Sequence, residues 1–250
     1  MSKTSKAPKN DRQRRIEEAR RRQAAQERRR RLIIGGAVLA VLVVVAVIGI
    51  VVQSNRSGSA KSTASTRPSG VLANGAIPMG AAVSAGQTAP TLDIFEDFQC
   101  PYCGQLEQGS GADLQQLATA GSVQLRYHLL SFIGLDSVRA ANAAGCAVDV
   151  GAFAPYHAKL YANQPKENTN GYSTDNLIKW GAEVGLTTPA FTDCVRTSRY
   201  QGWVKQVQDQ SSKDGIVQTP TLLLNGKPVD NAITLQPAQL KAAILAAKGG

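Results

Sequence analysis

Histidine and tryptophan occur only twice each in this chain of 250 residues, cysteine four times, and aromatic residues make up 5%. No aromatic residue falls within residues 1–31, which carry 13 of the 28 Lys and Arg but only 4 of the 18 Asp and Glu. Nearly all of the formal charge of +10 therefore sits in this tail, and the rest of the chain is close to neutral. Nucleic-acid surfaces need cations spread over a fold with stacking aromatics among them, so this pattern does not indicate a nucleic-acid partner. The scarcity of ligands also weighs against zinc, which requires four donors in close pairs. Cys146 and Cys194 are far apart, and His128 and His157 fall within regular elements. No internal repeat is visible, which removes solenoid architectures.

What is present divides the chain into unlike regions. Leu32 to Val52 is a charge-free run of Leu, Ile, Val, Ala and Gly. As a helix it would be about 31 Å long, the thickness of a hydrocarbon core. It is expected to be a transmembrane helix. The alternatives are a buried core helix, which would normally show a polar stripe, and a signal peptide cut near Gly58-Ser59-Ala60, for which the apolar run is too long. Arg28 to Arg31 abut the span, whereas residues 53–72 hold only Arg56, Lys61 and Arg67. The positive-inside rule then places the N-terminus in the cytoplasm and everything after Val52 outside. The expected organisation is a basic cytoplasmic tail at 1–31, a membrane span at 32–52, a Ser/Thr/Gly-rich tether at 53–70 and one domain at 71–250.

Within that domain, Thr91 to Phe98 reads as a strand running into Cys100-Pro101-Tyr102-Cys103 and then a helix with leucines at 106, 114 and 117. Val123 to Leu130 alternates with period two and predicts a second strand. Four helical segments follow between about 136 and 215, two of them opening at Ser173-Thr174-Asp175 and Thr188-Pro189. Thr219 to Asn225 predicts a strand, Asn225-Gly226 a hairpin turn with Lys227 to Val229 as its partner, and Gln236-Pro237 a last helix. This order is α/β: a thioredoxin fold with a helical insertion in its middle.

All four cysteines follow the predicted span, in a compartment where disulfides persist. A first cysteine at a strand-to-helix junction meets the orphan N–H groups and macrodipole of the helix start, which favour thiolate. Cys100 is therefore the candidate nucleophile and Cys103 the resolving thiol, with Pro101 and Tyr102 tuning or rimming the turn. A purely structural Cys100-Cys103 disulfide would constrain the unfolded chain little. Cys146 and Cys194 are expected to form a structural disulfide between two helices of the insertion, a second redox pair being the alternative.

The segments DFQCPYC at 97–103, AANAAGCAVD at 140–149 with FAPYHAKLYANQ at 153–164, and TPTLLLNGKPV at 219–229 resemble the DsbA-like disulfide oxidoreductases. The likeness is to their membrane-anchored, actinobacterial-type group. It covers about residues 75–250, and glutaredoxins, which share Cys-Pro-Tyr-Cys, lack the insertion. The resemblance implies that Pro220 is cis and faces the cysteines while Thr219 offers its backbone to an extended substrate. It also implies disulfide formation in exported cysteine-containing proteins, reoxidation by a membrane quinone-linked protein of the DsbB or vitamin K epoxide reductase type, and no bound cofactor. One departure stands out: the position six before the first cysteine, often a buried acid in such proteins, is Ile94. Glu96 or Asp97 could take over its proton transfer, or could simply cap or be solvated. The competing functions are a reductase or isomerase of the same fold, including one serving cytochrome maturation, and a tethered binding module without catalysis.

Overall fold

Leu92, Ile94 and Glu96 alternate with Asp93 and Phe95, and this period of two builds the central strand of the domain, β2 (Thr91–Glu96). The computed structural model describes residues 66–81, 89–232 and 234–247, all within a compact unit spanning Thr63–Gly250. No helix among the described residues is long and apolar enough to cross a membrane. The run 32–52 lies outside them, as do the basic tail and the tether up to residue 65.

Five strands form one sheet in the order β1-β3-β2-β4-β5. β3 (Gln124–Leu129) runs parallel to β2, with Phe95 opposite His128 and Glu96 opposite Leu129. β1 (Ile77–Met79) is antiparallel to β3, and β4 (Thr221–Leu224) antiparallel to β2. β5 (Lys227–Pro228) closes the edge through Asn225 and Gly226, whose φ values of 50° and 74° suit a two-residue hairpin. β1 was not read in the sequence, because three residues are too few for a period to show. Since β2 and β3 are parallel and β4 is antiparallel, the ends of β2 and β3 and the start of β4 all lie at one edge of the sheet. Cys100 and Pro220 meet there.

Cys100 caps a helix that opens with Pro101 at its first position, α1 (Pro101–Leu106). It continues through a wide π turn at Glu107–Gly111 into α2 (Ala112–Thr119), with right-handed helical angles at both junctions. The insertion consists of α3 (Leu135–Asp149), α4 (Phe153–Ala162), α5 (Thr174–Glu183), α6 (Pro189–Arg196) and α7 (Gln201–Lys213). Ser173 accepts from Asn176 N at 3.3 Å and caps α5. A final helix, α8 (Pro237–Ala246), begins after Gln236, whose N–H donates to Gln239 Oε1 at 3.0 Å.

Two boundaries differ from the sequence reading. The helical segment opening at Pro189 is two helices, because the Thr197 hydroxyl donates back to Asp193 O at 2.7 Å, Ser198 takes φ 50°, and Tyr200 N is captured by Asn142 Oδ1 on α3 at 2.8 Å. No Gly or Pro marks that break, so only the partner helix determines it. The folded domain also begins before residue 71. Pro68 is buried, Ser69 N donates to Asp149 Oδ1 at 2.8 Å, and Arg67 Nη2 donates to Ala73 O at 2.9 Å. The end of the expected tether is thus fixed to α3.

Candidate active site

The turn that carries the cysteines is held from below before it is held from the front. Asp97 Oδ1 accepts Gln99 N at 2.9 Å, and Ser137 on α3 donates to the same oxygen at 2.5 Å. The Gln99 side chain, fully buried, donates to Ser137 Oγ at 2.8 Å and accepts Asn168 N at 2.6 Å. Gln164 Nε2 donates to Phe98 O and Cys100 O, 2.8 Å from each, and the Tyr172 hydroxyl lies 3.1 Å from Phe98 O. Gly104 leaves the room for Gln164, since a Cβ there would fall 2.2 Å from Oε1. Ser137, Gln164, Asn168 and Tyr172 all come from the insertion. Sequence reading missed Gln99, Ser137, Gln164 and Tyr172, because their partners lie 38 to 74 residues away in the chain.

Cys100 and Cys103 are both free thiols. Cys100 is 6% exposed and Cys103 is fully buried. Across the turn stands the cis peptide Thr219-Pro220, with Cys100 Sγ 3.3 Å from Thr219 O. A groove of about 710 Å³ opens beside it, lined by Tyr102, Gln218, Pro220, Leu222, Val229 and Asn231 among others. Tyr102 is 53% exposed and Val217, one residue before the groove, 83%.

The acidities of the two thiols shift in opposite directions. The Cys103 thiol donates to Cys100, and although burial opposes ionisation, hydrogen bonds from Thr219 and the backbone of Cys103 and Tyr102 help bring the Cys100 thiol from its ordinary 9.0 down to about 6. Cys103 moves the other way, well above its usual value, through burial first, then its hydrogen bond to Cys100 and the charge of Glu96. One sulfur is thus a nucleophile at neutral pH and the other holds its proton. The alkylation rate of Cys100 by iodoacetamide in the reduced protein is expected to rise through a midpoint near pH 6 and level off above it. A midpoint near 9 would show that these hydrogen bonds do not act on the thiol.

Glu96 and Asp97, possible proton-transfer groups in the sequence, are both fully buried, so neither is a solvated carboxylate. Asp97 is the keystone of the turn; burial outweighs its hydrogen bonds from Ser137 and the backbone and raises its carboxyl to about 6. Glu96 shares a strand face with Ile94, because residues two apart on a strand point the same way. The acid missing at position 94 is therefore present one pleat further along, and its charge acts on Cys103. His128 stacks on Phe95 with ring centroids 4.0 Å apart and bonds Asp93 at 2.9 Å, a packing role. His157 is different: Nε2 lies 2.5 Å from Glu96 Oε1 and Nδ1 3.7 Å from Glu107 Oε2. These three residues bring one donor atom each within 4.8 Å of one another.

Away from the turn, Cys146 on α3 and Cys194 on α6 form a disulfide, both 1% exposed.

A low-lying thiol at a helix start, a buried partner thiol one turn on and a cis-proline opposite, all on a sheet of this order, define a thiol–disulfide oxidoreductase of the thioredoxin fold. The thioredoxin family model matches residues 81–245. The chain belongs to that family. Among solved structures, the reduced disulfide bond oxidoreductase DsbG of Mycobacterium tuberculosis is 26% identical, with a TM-score of 0.58 over 68% of this chain and 85% of that one. DsbA of the same organism, also 26% identical with a TM-score of 0.58, covers 68% and 90%. The thiol-disulfide oxidoreductase MdbA of Actinomyces oris, 22% identical, shares the fold with a TM-score of 0.65 over 76% and 97%. Among curated sequences, the chain is 27% identical to part of the Na(+)/H(+) antiporter NhaA 3 of Salinispora tropica, with 63% of this chain aligned. It is 26% identical to part of the serine/threonine-protein kinase PknE of Mycobacterium tuberculosis, with 47% aligned. The match spans 23% of the length of each of those two relatives.

Proposed function

We propose that this protein is a disulfide oxidase acting outside the cytoplasm, anchored by residues 32–52, that introduces disulfides into exported cysteine-containing proteins. The observation that carries this reading is the opposed protonation of the two thiols. A thiolate held stable on Cys100 favours the reduced pair, so the disulfide is strongly oxidising. A substrate thiolate attacks Cys100 Sγ of the Cys100-Cys103 disulfide, and the electron pair of that bond leaves on Cys103, which takes up a proton. The second substrate thiolate then attacks the substrate sulfur of the mixed disulfide, and Cys100 leaves as its stabilised thiolate. Substrate leaves with one new disulfide and the enzyme with two electrons. A membrane quinone-linked protein of the DsbB or vitamin K epoxide reductase type returns the pair to the disulfide.

Thr219 serves as the backbone docking point for an extended substrate segment lying in the groove, with Tyr102 and Val217 as apolar contacts at its rim. Peptide recognition of this kind draws affinity from main-chain bonds and specificity from side-chain pockets. The basic tail serves as the topology signal. Reporter fusions after residue 70 place the domain outside the cytoplasm under this reading; an alkaline phosphatase fusion without activity would remove the location.

The direction of the chemistry is read by equilibrating the full-length protein with glutathione buffers. A potential clearly less negative than about −270 mV, the thioredoxin value, is expected. Oxidised protein should also restore activity to reduced, unfolded RNase in stoichiometric amounts. A potential at or below the thioredoxin value would make the protein a reductase.

A further inference from the structure

The chemistry above requires Cys103 to gain a proton when its bond breaks and to lose one when it attacks again, yet Cys103 has no exposed surface. The charge of Glu96 acts on the Cys103 thiol, and Glu96 heads a set of buried groups that substrate binding leaves unused. Glu96 (β2), His157 (α4) and Glu107 (π turn) are buried in a row, with contacts of 2.5 Å and 3.7 Å between successive members. The first is a hydrogen bond; the second is an ion-pair separation that a small rotation of the carboxylate or one bridging water closes. Glu107 also lines a cleft of about 230 Å³ with Gln108, Ala112, Gln115, Ala158 and Tyr161, and none of its lining residues belongs to the groove beside Cys100.

We propose that the Cys103 proton exchanges with solvent through a relay of Glu96, His157 and Glu107 that opens in this second cleft. The inference rests on Cys100 and Cys103 forming the redox pair. When Cys103 resolves a mixed disulfide on Cys100, its proton passes by way of a bridging water to Glu96, whose charge acts on the thiol. Glu96 passes one to Nε2 of His157 as Nδ1 releases one to Glu107, whose carboxylate, buried at rest, turns outward to release one to water in the cleft it lines. The Cys103 thiolate then attacks Cys100 Sγ, the Cys100-Cys103 bond forms, and the partner departs with the electron pair of the broken bond as a thiolate. The partner's disulfide is the oxidant, so electrons balance, and one proton leaves by the cleft. When the enzyme disulfide oxidises a substrate and is itself reduced, each transfer runs backward.

The surroundings suit this traffic. Burial, opposed by the charge of His157 and reinforced by that of Glu96, brings the Glu107 carboxyl up to about 7, so it both takes and gives protons near neutral pH. Burial disfavours the imidazolium of His157, but the charges of Glu96 and Glu107 outweigh it and raise the ring. The other ionisable groups facing the row are Cys103 on α1, Tyr127 on β3, Tyr161 on α4 and Tyr172 ahead of α5. Burial pushes all three tyrosines above their usual range, so they stay protonated and do not compete. Glu96 Oε2 and Glu107 Oε1 are buried without a hydrogen-bond partner among the described residues. Gly111 makes the inward turn of Glu107 possible, because a Cβ there would stand 2.5 Å from Glu107 Oε2.

The test follows one turnover of the full-length reduced protein with glutathione disulfide between pH 5 and 9, using quenched-flow mass spectrometry to time decay of the Cys100-glutathione mixed disulfide. Glu107→Gln is expected to slow that decay at least about tenfold at pH 6 to 7, within the contribution of positioned acid–base groups. It should remove the inflection near pH 7 and converge on the parent as hydroxide takes over. Gly111→Ala changes no ionisable group but displaces Glu107, and is expected to shift the profile the same way. Melting curves of both variants accompany the kinetics. Reduced stability with an unchanged profile in both variants would overturn the relay. A parent that never forms or resolves the mixed disulfide would instead overturn the redox reading, and the relay with it.

Discussion

Cys100→Ser abolishes thiol–disulfide exchange, lowering the rate in an insulin-reduction or RNase-refolding assay by at least about a thousandfold, as expected for loss of a nucleophile that works as one unit with its partner. A hydroxyl in the same place stays protonated at neutral pH, and the hydrogen bonds that bring the Cys100 thiol to about 6 cannot bring an alcohol into that range. Cys103→Ser behaves differently. Cys100 keeps its place at the helix start, so the first attack proceeds, but the resolving thiol is gone. Mixed disulfides with substrate accumulate and are visible on non-reducing gels. Equal activity of parent and Cys100→Ser would mean that the domain is a binding module and not an oxidoreductase. Trapping through Cys103 in a Cys100→Ser background would reverse the assignment of the two sulfurs.

Replacing both Cys146 and Cys194 by alanine should destabilise the domain by about 4 kcal/mol in the chain-entropy description for a loop of this length. The two residues are 48 apart in sequence, and for a domain of this size that cost lowers Tm by roughly 8 to 16 °C. The loss falls where it matters to the site. α3 carries Ser137, which donates to Asp97 beneath the active-site turn, and Asn142, which captures Tyr200 at the break between α6 and α7. The Cys100 alkylation profile below the new Tm is the companion measurement. A second redox pair, the alternative for these cysteines, would instead leave stability nearly unchanged and alter electron transfer.

The site was legible in the sequence to the extent that its signals are local. Cys100, Cys103 and Pro101 lie within four residues, and a strand followed by a Pro-opened helix identifies a helix-start thiol from periodicity and end chemistry alone. At Ile94, where an acid is often found, the sequence left Glu96 and Asp97 as possible replacements and did not choose between them. The pleat puts Glu96 on the same face two residues on, and its charge acts on Cys103. The surroundings of His157 were not legible in the sequence. A lone histidine on an apolar helix reads as packing, and nothing near position 157 announces that Glu96 and Glu107 converge on it from a strand and a π turn 61 and 50 residues earlier in the chain.

Patterns of hydrophobicity, turn chemistry and cysteine spacing, all of which act over a few residues, determined the α/β order, the helical insertion, the hairpin at Asn225-Gly226 and the placing of Cys100 and Cys103 at a helix start. The tertiary structure alone decided how strongly the two thiols differ, which insertion residues hold their turn, where one helix becomes two, and which buried acids face Cys103. Those properties depend on burial and on hydrogen bonds between segments distant in the chain, and such contacts exist only once the sheet and the insertion have packed together.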